Sequence, residues 1–135
     1  MPGMSDAVEL KFLELLTAKT AYTVTSPLFL ALTTVAVTES MTGLTITEAG
    51  YTGYARLSTP GTSWGAAAAG QIANSSALTF AACTAGTSTL LGFALVTTAS
   101  GAGDIQAFGT LASLVVSTTQ TPVTFAIGAL VITAD

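Results

Sequence analysis

Histidine is absent from this chain of 135 residues, cysteine occurs once, and lysine and arginine together number only three. Without histidine or a second cysteine, the Ser-His-Asp triad and the usual zinc ligand sets are excluded. Three scattered cations are too few for the clustered phosphate contacts that nucleic acids require, so we expect no nucleic-acid partner. The single Cys83 has no partner for an internal disulfide, and we predict that it is a small buried apolar residue.

Charge of either sign is also scarce. Charged residues make up 7% of the chain, against about 25% in typical soluble domains, whereas hydrophobic residues make up 50% and the mean hydropathy is +0.71. From Leu57 to Asp135 the only charged residues are Asp104 and Asp135. Such a stretch allows three environments: a membrane, an extensive protein partner, or a tightly repeated assembly.

The membrane explanation rests on Ser76 to Val96, which is uncharged and rich in Leu, Ala and Phe. Threonine and glycine interrupt this run, and residues 85–88 have the composition of a turn between two apolar segments. No lysine or arginine flanks it, and no Trp or Tyr belt brackets it. We therefore interpret the run as two buried strands and expect no membrane partner.

Helical signals are confined to the start of the chain. Ser5 is a candidate N-cap, and Asp6 and Glu9 lie in the first turn, where the helix dipole favours negative charge. Val8, Phe12, Leu15 and Leu16 recur at helical spacing, with Lys19 near the predicted end. We predict a helical arm over residues 1–20 that is covered by its own sheet or by a neighbouring subunit, which makes Phe12 and Leu16 interface candidates.

After Thr20 the sequence changes to short runs of Thr, Val, Leu and Ala, which strands favour. Residues 65–70 are interpreted as a loop, and the predicted strand from Ile105 is expected to break near Gly109. The spacing of the strands predicts a single antiparallel β-sandwich or small barrel, jelly-roll-like, over residues 21–135. The candidate strands are Leu28–Thr34, Gly53–Ser58, Ala77–Ala82, Leu91–Thr97, Ile105–Val116, Pro122–Ala126 and Ala129–Thr133.

Residues able to support chemistry are few and dispersed. Glu39, Glu48 and Asp104 lie far apart in sequence, so the spacing predicts neither a metal site nor a pair of catalytic carboxylates. The glycines at 101 and 103 lie between strands and lack the lysine of a phosphate-binding loop, so they indicate a tight turn. We expect no enzyme, no cofactor and no small-molecule substrate.

Two aromatic-containing segments are anchor candidates. Arg56 is the only arginine and follows Tyr54; it is either a solvated edge residue or a paired, stacked anchor, with Glu48, Glu39 or Asp104 as its partner. Trp64 is the only tryptophan, and its size favours a core or interface plug over a ligand platform. Tyr54, Arg56 and Trp64 therefore join the two helix residues as interface or anchor candidates.

The order of these segments resembles a family of small tailed-phage virion proteins, whose members are head-decoration or tail-fibre-like proteins. The resemblance spans nearly the whole chain and depends on the order of segments that are individually ordinary. It implies a β-rich domain in a phage particle and carries over no catalytic residue. The segments are the Ser-Asp helix, Leu28–Thr34, Gly53-Tyr54-Ala55-Arg56, Trp64, Asn74–Phe80, Gly92–Leu95 leading to Asp104, Phe108–Leu111 and Val123–Leu130.

Within that family, the low charge favours a capsid decoration, or cement, protein over a receptor-binding one. A cement protein needs a small body that neighbours cover, and we expect a homotrimer on the major capsid protein at the head surface. The alternative is a tail or head-fibre adhesion module that binds a host glycan or protein, since a tail location also fits. No secretory signal is visible at the start, so synthesis in the host cytoplasm is expected.

Overall fold

The computed structural model describes residues 3–134, in which one α-helix precedes eight antiparallel strands and a short 3-10 helix, Gly61–Ser63, follows the second strand. The β-branched and aliphatic runs after Pro27 form the strands, and glycine-containing turns separate several of them. The fold class predicted from the sequence, mainly β with a short N-terminal helix, is confirmed. The elements are α1 (Asp6–Leu16), β1 (Leu28–Thr33), β2 (Leu57–Thr59), β3 (Gln71–Ala73), β4 (Leu78–Thr79), β5 (Ser88–Val96), β6 (Ile105–Val116), β7 (Thr124–Phe125) and β8 (Val131–Thr133).

The principal sheet has the strand order β2-β1-β5-β6 and is antiparallel throughout. Strand β1 lies inside it, and Leu30, Ala31 and Leu32 are completely buried. Because side chains alternate across a strand, the two leucines face one side of the sheet and Ala31 faces the other. Both faces of this sheet are therefore covered, as the doubly apolar sequence of β1 indicates.

Two small sheets, β3-β8 and β4-β7, lie over the leucine face. Leu78 and Phe125 from the second sheet and Ile132 from the first pack into the same cluster as Leu30 and Leu32. A second cluster, on the Ala31 face, includes Val37 and Ile46 from the connection after β1. The sheets of residues 3–134 do not close into a barrel, so the arrangement is sandwich-like.

Several predicted strands are shorter in the structure. The predicted strand Gly53–Ser58 begins only at Leu57, because Gly53 has φ +102° and the N–H of Tyr54 bonds back to the carbonyl of Tyr51 in a turn. The last strand begins at Val131, after a turn at Gly128 with φ +75°. Two other predicted strands are also shorter, since only β4 forms within Ala77–Ala82 and only β7 forms within Pro122–Ala126.

The long strand β6 differs from the prediction in another way. It is continuous through Gly109, and the irregularity falls beside it, where pairing passes from Gly92↔Thr110 to Leu90↔Leu114. Strand β5 starts at Ser88, earlier than predicted. Strand β3 was not predicted; it follows Gly70, which adopts φ +74°. Bulges and three-residue strands leave too little periodic signal to be found in a sequence.

Helix α1 forms where it was predicted but ends at Leu16, before Lys19. Ser5 occupies the N-cap position, yet its hydroxyl donates to the carbonyl of Ile105 at 2.6 Å and caps no helical N–H group. Val8 is the only buried side chain of the helix. Within residues 3–134 no helix has the length and apolarity needed to cross a membrane.

Candidate assembly site

Arg56 is buried just before β2, and its partner is Glu48. The Nη2 and Nε atoms donate to Glu48 Oε1 at 2.7 and 3.0 Å. The Arg56 side chain is 2% exposed, whereas that of Glu48 is 23% exposed. Of the other candidate partners, Asp104 pairs with Lys11. The geometry therefore makes Arg56 a paired residue inside the subunit, not a solvated edge residue.

The remaining donors of the Arg56 guanidinium hold two loops. Nη1 donates to the carbonyl and hydroxyl oxygens of Thr98 at 3.0 and 3.2 Å. Nη2 also donates to the carbonyls of Gly43 at 2.7 Å and Gly101 at 3.2 Å. One side chain thus joins the loop before Glu48 to the β5–β6 connection, which explains why the only arginine lies at this position.

Tyr54 completes the same network from the turn before β2. Its hydroxyl donates to Glu48 Oε2 at 2.6 Å and accepts the N–H of Leu32 at 3.1 Å. Its ring stacks on Phe80 and meets the edge of Tyr51, with centroids 6.2 and 5.6 Å away. Burial and the hydrogen bond to Glu48 raise the pKa of Tyr54 well above its usual range, and burial also raises the pKa of Tyr51.

These tyrosines predict that alkali destabilises the protein. A folded-state pKa above the ordinary value near 10 means that the folded chain binds the phenol proton more tightly than the unfolded chain. Each protonated tyrosine therefore contributes to the free energy of unfolding. The contribution is complete below pH 10, and above that pH it falls by at most about 1.4 kcal/mol per pH unit for each tyrosine. Denaturant titrations from pH 8 to pH 11.5 should show the decline, and Tyr54→Phe should reduce its slope. An unchanged slope in that variant would contradict the assignment.

Trp64 is half-buried beside the principal sheet. It packs against the larger core cluster and lines a groove of about 280 Å³ with Leu28, Ile72 and Ile132. A second groove of about 420 Å³ continues from Ile72 and Ile132 along residues 67–71. Neither groove has a charged side chain in its lining. Trp64 therefore combines a core contact with a partly open apolar surface.

Asn74 is a buried residue whose structural role cannot be recognised from the sequence alone. It is 2% exposed, and its Nδ2 atom donates to the carbonyls of Ser76 at 2.8 Å and Ala126 at 2.9 Å. Its Oδ1 atom accepts the N–H of Leu130 at 2.9 Å. The sequence Asn74-Ser75-Ser76 by itself is typical only of a turn, because the partners Ala126 and Leu130 lie more than fifty positions away.

Helix α1 is attached to the sheet by a few polar contacts. The N–H and C=O of Gly3 bond to Phe108 of β6 at 2.8 and 2.9 Å. Lys11 forms a salt bridge with Asp104, and the hydrogen bond to that carboxylate raises the pKa of Lys11. Phe12 is 43% exposed and Leu16 is 66% exposed. The arm is docked on its own subunit, yet it leaves both predicted interface residues open.

The outer side of α1 carries an apolar stripe of Leu10, Leu13 and Leu16, which we call the leucine stripe. The three side chains are 65%, 58% and 66% exposed. Residues three apart lie on the same side of a helix, so the stripe is continuous. Apolar residues therefore occur on both the inner and the outer sides of this helix, a feature visible in the sequence as its wide apolar arc.

Groups able to bind metal or to react are not assembled in the described residues. Residues 3–134 contain no cluster of three or more His, Cys, Asp or Glu side chains. Cys83 is buried as predicted, with its Sγ atom 3.4 Å from the carbonyls of Ala85 and Gly86. In the same residues, every buried side-chain nitrogen and oxygen has a hydrogen-bond partner. The buried polar groups are therefore engaged in hydrogen bonds that stabilise the fold.

A sandwich-like β-domain with a self-satisfied interior and an exposed apolar helix has the features of a structural protein that works in an assembly. The family model described as Podophage GP4 fiber I protein gp80 matches residues 3–133, and the chain belongs to this family. It is accordingly a structural protein of a tailed-phage virion. No curated protein is significantly similar to the chain.

Proposed function

We propose that this protein is a structural subunit of a phage fibre and acts by packing against neighbouring subunits, without catalysis. Helix α1 carries the proposal, because five of its large apolar side chains are between 43% and 66% exposed. An apolar arc this wide is ordinarily covered, so the helix is suited to a protein contact. The description of the family as a fibre protein supports the same role. The five side chains are Leu10, Phe12, Leu13, Leu15 and Leu16.

The neutral body of the domain supports the same proposal. Between Leu57 and residue 134 the only charged residue is Asp104, which Lys11 pairs. A surface of threonine and alanine can be covered without the desolvation cost of buried charges. Contacts between subunits would therefore need few compensating ion pairs.

The same neutral surface favours a second candidate, the capsid decoration protein expected from the sequence. In that role the domain would lie on the major capsid protein, and the homotrimer remains a prediction for either role. Adhesion to a host is less favoured, because interface hot spots are enriched in aromatic residues and arginine. Here Arg56 is buried, and Trp64 lies half-buried in an aliphatic groove.

Copy number and location in the virion separate these roles. Quantitative mass spectrometry of purified particles, with immunogold labelling, should find the protein on a fibre in few copies. A decoration protein would instead cover the head in on the order of hundreds of copies, because the shell repeats its sites by symmetry. Head-wide labelling would overturn the fibre proposal. Purified protein that blocks infection at micromolar concentration would show adhesion and contradict a purely packing role.

A further inference from the structure

We infer that the leucine stripe of α1 binds the same stripe of a second copy, with the two helices antiparallel. The inference rests on the proposed function in one respect, since a multi-copy subunit brings the helices together. It adds the partner, the surface and the orientation. The inference rests on the shape and the charges of this helix, which are complementary to those of a second copy.

The stripe is symmetric about Leu13. When two antiparallel helices cross at this residue, Leu10 of each copy meets Leu16 of the other, since both lie three positions from the centre. Each copy thereby covers the three side chains that the other leaves exposed. This is an isologous contact, in which one surface patch serves both subunits.

The charges on α1 select the antiparallel orientation. Asp6 and Glu9 lie in the first turn, and no cation of residues 3–134 forms a salt bridge with either. Lys19 stays beside the last turn, because its N–H bonds to the carbonyl of Glu14 at 2.9 Å. Its ammonium group pairs with the Glu14 carboxylate at 3.1 Å, but the side chain is 71% exposed and keeps donors for a second acidic partner. Antiparallel packing brings each Lys19 to the acidic first turn of the other copy.

A parallel arrangement lacks this complementarity. It would bring the acidic first turns of two or three copies together and separate them from Lys19, which is unfavourable for like charges. Antiparallel packing also places the positive end of each helix dipole beside the negative end of its neighbour. The charges and the dipole of α1 therefore favour the same antiparallel arrangement as the leucine stripe.

The contact is small and requires copies held close together. A helix of eleven residues is about 16 Å long and covers less than the roughly 800 Å² per partner of a standard stable interface. Subunits fixed on one particle have a high effective concentration, which strengthens weak contacts. Covalent trapping is consequently a better test than the mass of the free protein.

Cysteine substitutions on the purified full-length protein test the geometry. Under mild oxidation Leu13→Cys should form a disulfide-linked dimer, because the two Cβ atoms meet on the symmetry axis. Leu10→Cys and Leu16→Cys should each cross-link poorly alone but should link to each other when mixed. Identical residues at either position are about 9 Å apart along the helix, beyond the span of a disulfide.

Matched controls make either result interpretable. Wild-type protein tests the buried Cys83, and Leu44→Cys tests an equally exposed leucine outside α1, since Leu44 is 70% exposed. Lys19→Glu in the Leu13→Cys protein should slow dimer formation several-fold at low salt. Equal self-linking at positions 10, 13 and 16, or linking at Leu13 no faster than at Leu44, would overturn the inference. Copy number and labelling in the virion, which test the proposed function, do not depend on this outcome.

Discussion

Arg56→Ala should destabilise the folded protein by about 3 kcal/mol, at the lower end of the range for breaking a buried ion pair because Glu48 keeps some solvent contact. The substitution leaves a half-buried carboxylate without its cation. It also removes the donors to the carbonyls of Gly43 and Thr98. Urea unfolding followed by Trp64 fluorescence would measure the change in the free energy of unfolding.

Two lysine substitutions provide the comparison. Lys19→Ala removes an exposed pair with Glu14, and Lys11→Ala removes a half-exposed pair with Asp104. Pairs of this kind contribute at most about 1 kcal/mol. Glu48→Ala in the Arg56→Ala background should restore part of the loss, since the stranded charge is then gone. Similar small losses for all three cation variants would show that Arg56 does not anchor the fold.

The fold class could be predicted from the sequence, because strand preference and helical spacing are local properties of short segments. The sequence of β1 is apolar at alternate positions on both sides, and Leu30 and Ala31 are completely buried on opposite faces of the sheet. Strand ends were less predictable. They depend on turns such as that at Gly53, where a positive φ and a bond to Tyr51 end the extended chain.

The candidate site was only partly predictable for a related reason. The scarcity of charge identified Arg56 as an anchor candidate and limited its partners to three acids, yet the choice of Glu48 depends on how the two loops fold. The helix sequence indicated an apolar surface but not which side the sheet covers. Leu10 and Leu13 are therefore absent from the interface residues predicted from the sequence, although both are exposed. The assembly roles of Phe12, Leu16, Tyr54, Arg56 and Trp64 remain predictions.

Asn74→Ala should cost about 2 kcal/mol of unfolding free energy, although Asn74 is uncharged and lies just beyond the end of β3. Its amide is the side-chain link between residues 74–76 and the segment from Phe125 to Leu130. Alanine would leave the buried N–H of Leu130 without its partner, and one unsatisfied buried group costs about 1–3 kcal/mol, whereas the exposed carbonyl of Ala126 keeps its bond from the N–H of Ala129. The loss should also loosen β8, which begins directly after Leu130.

Ser75→Ala is the matched control for this prediction. Ser75 adjoins Asn74 and is exposed, and its hydroxyl makes one bond, to the carbonyl of Thr62 at 3.2 Å. Removing that hydroxyl should change stability by no more than about 0.5 kcal/mol. Hydrogen exchange should show faster exchange at Leu130 and in β8 for Asn74→Ala but not for Ser75→Ala. If the two variants unfold at the same urea concentration, the Asn74 amide does not hold the segment from Phe125 to Leu130 in place, and the main-chain bonds of Asn74 to Leu130 and Gly128 suffice.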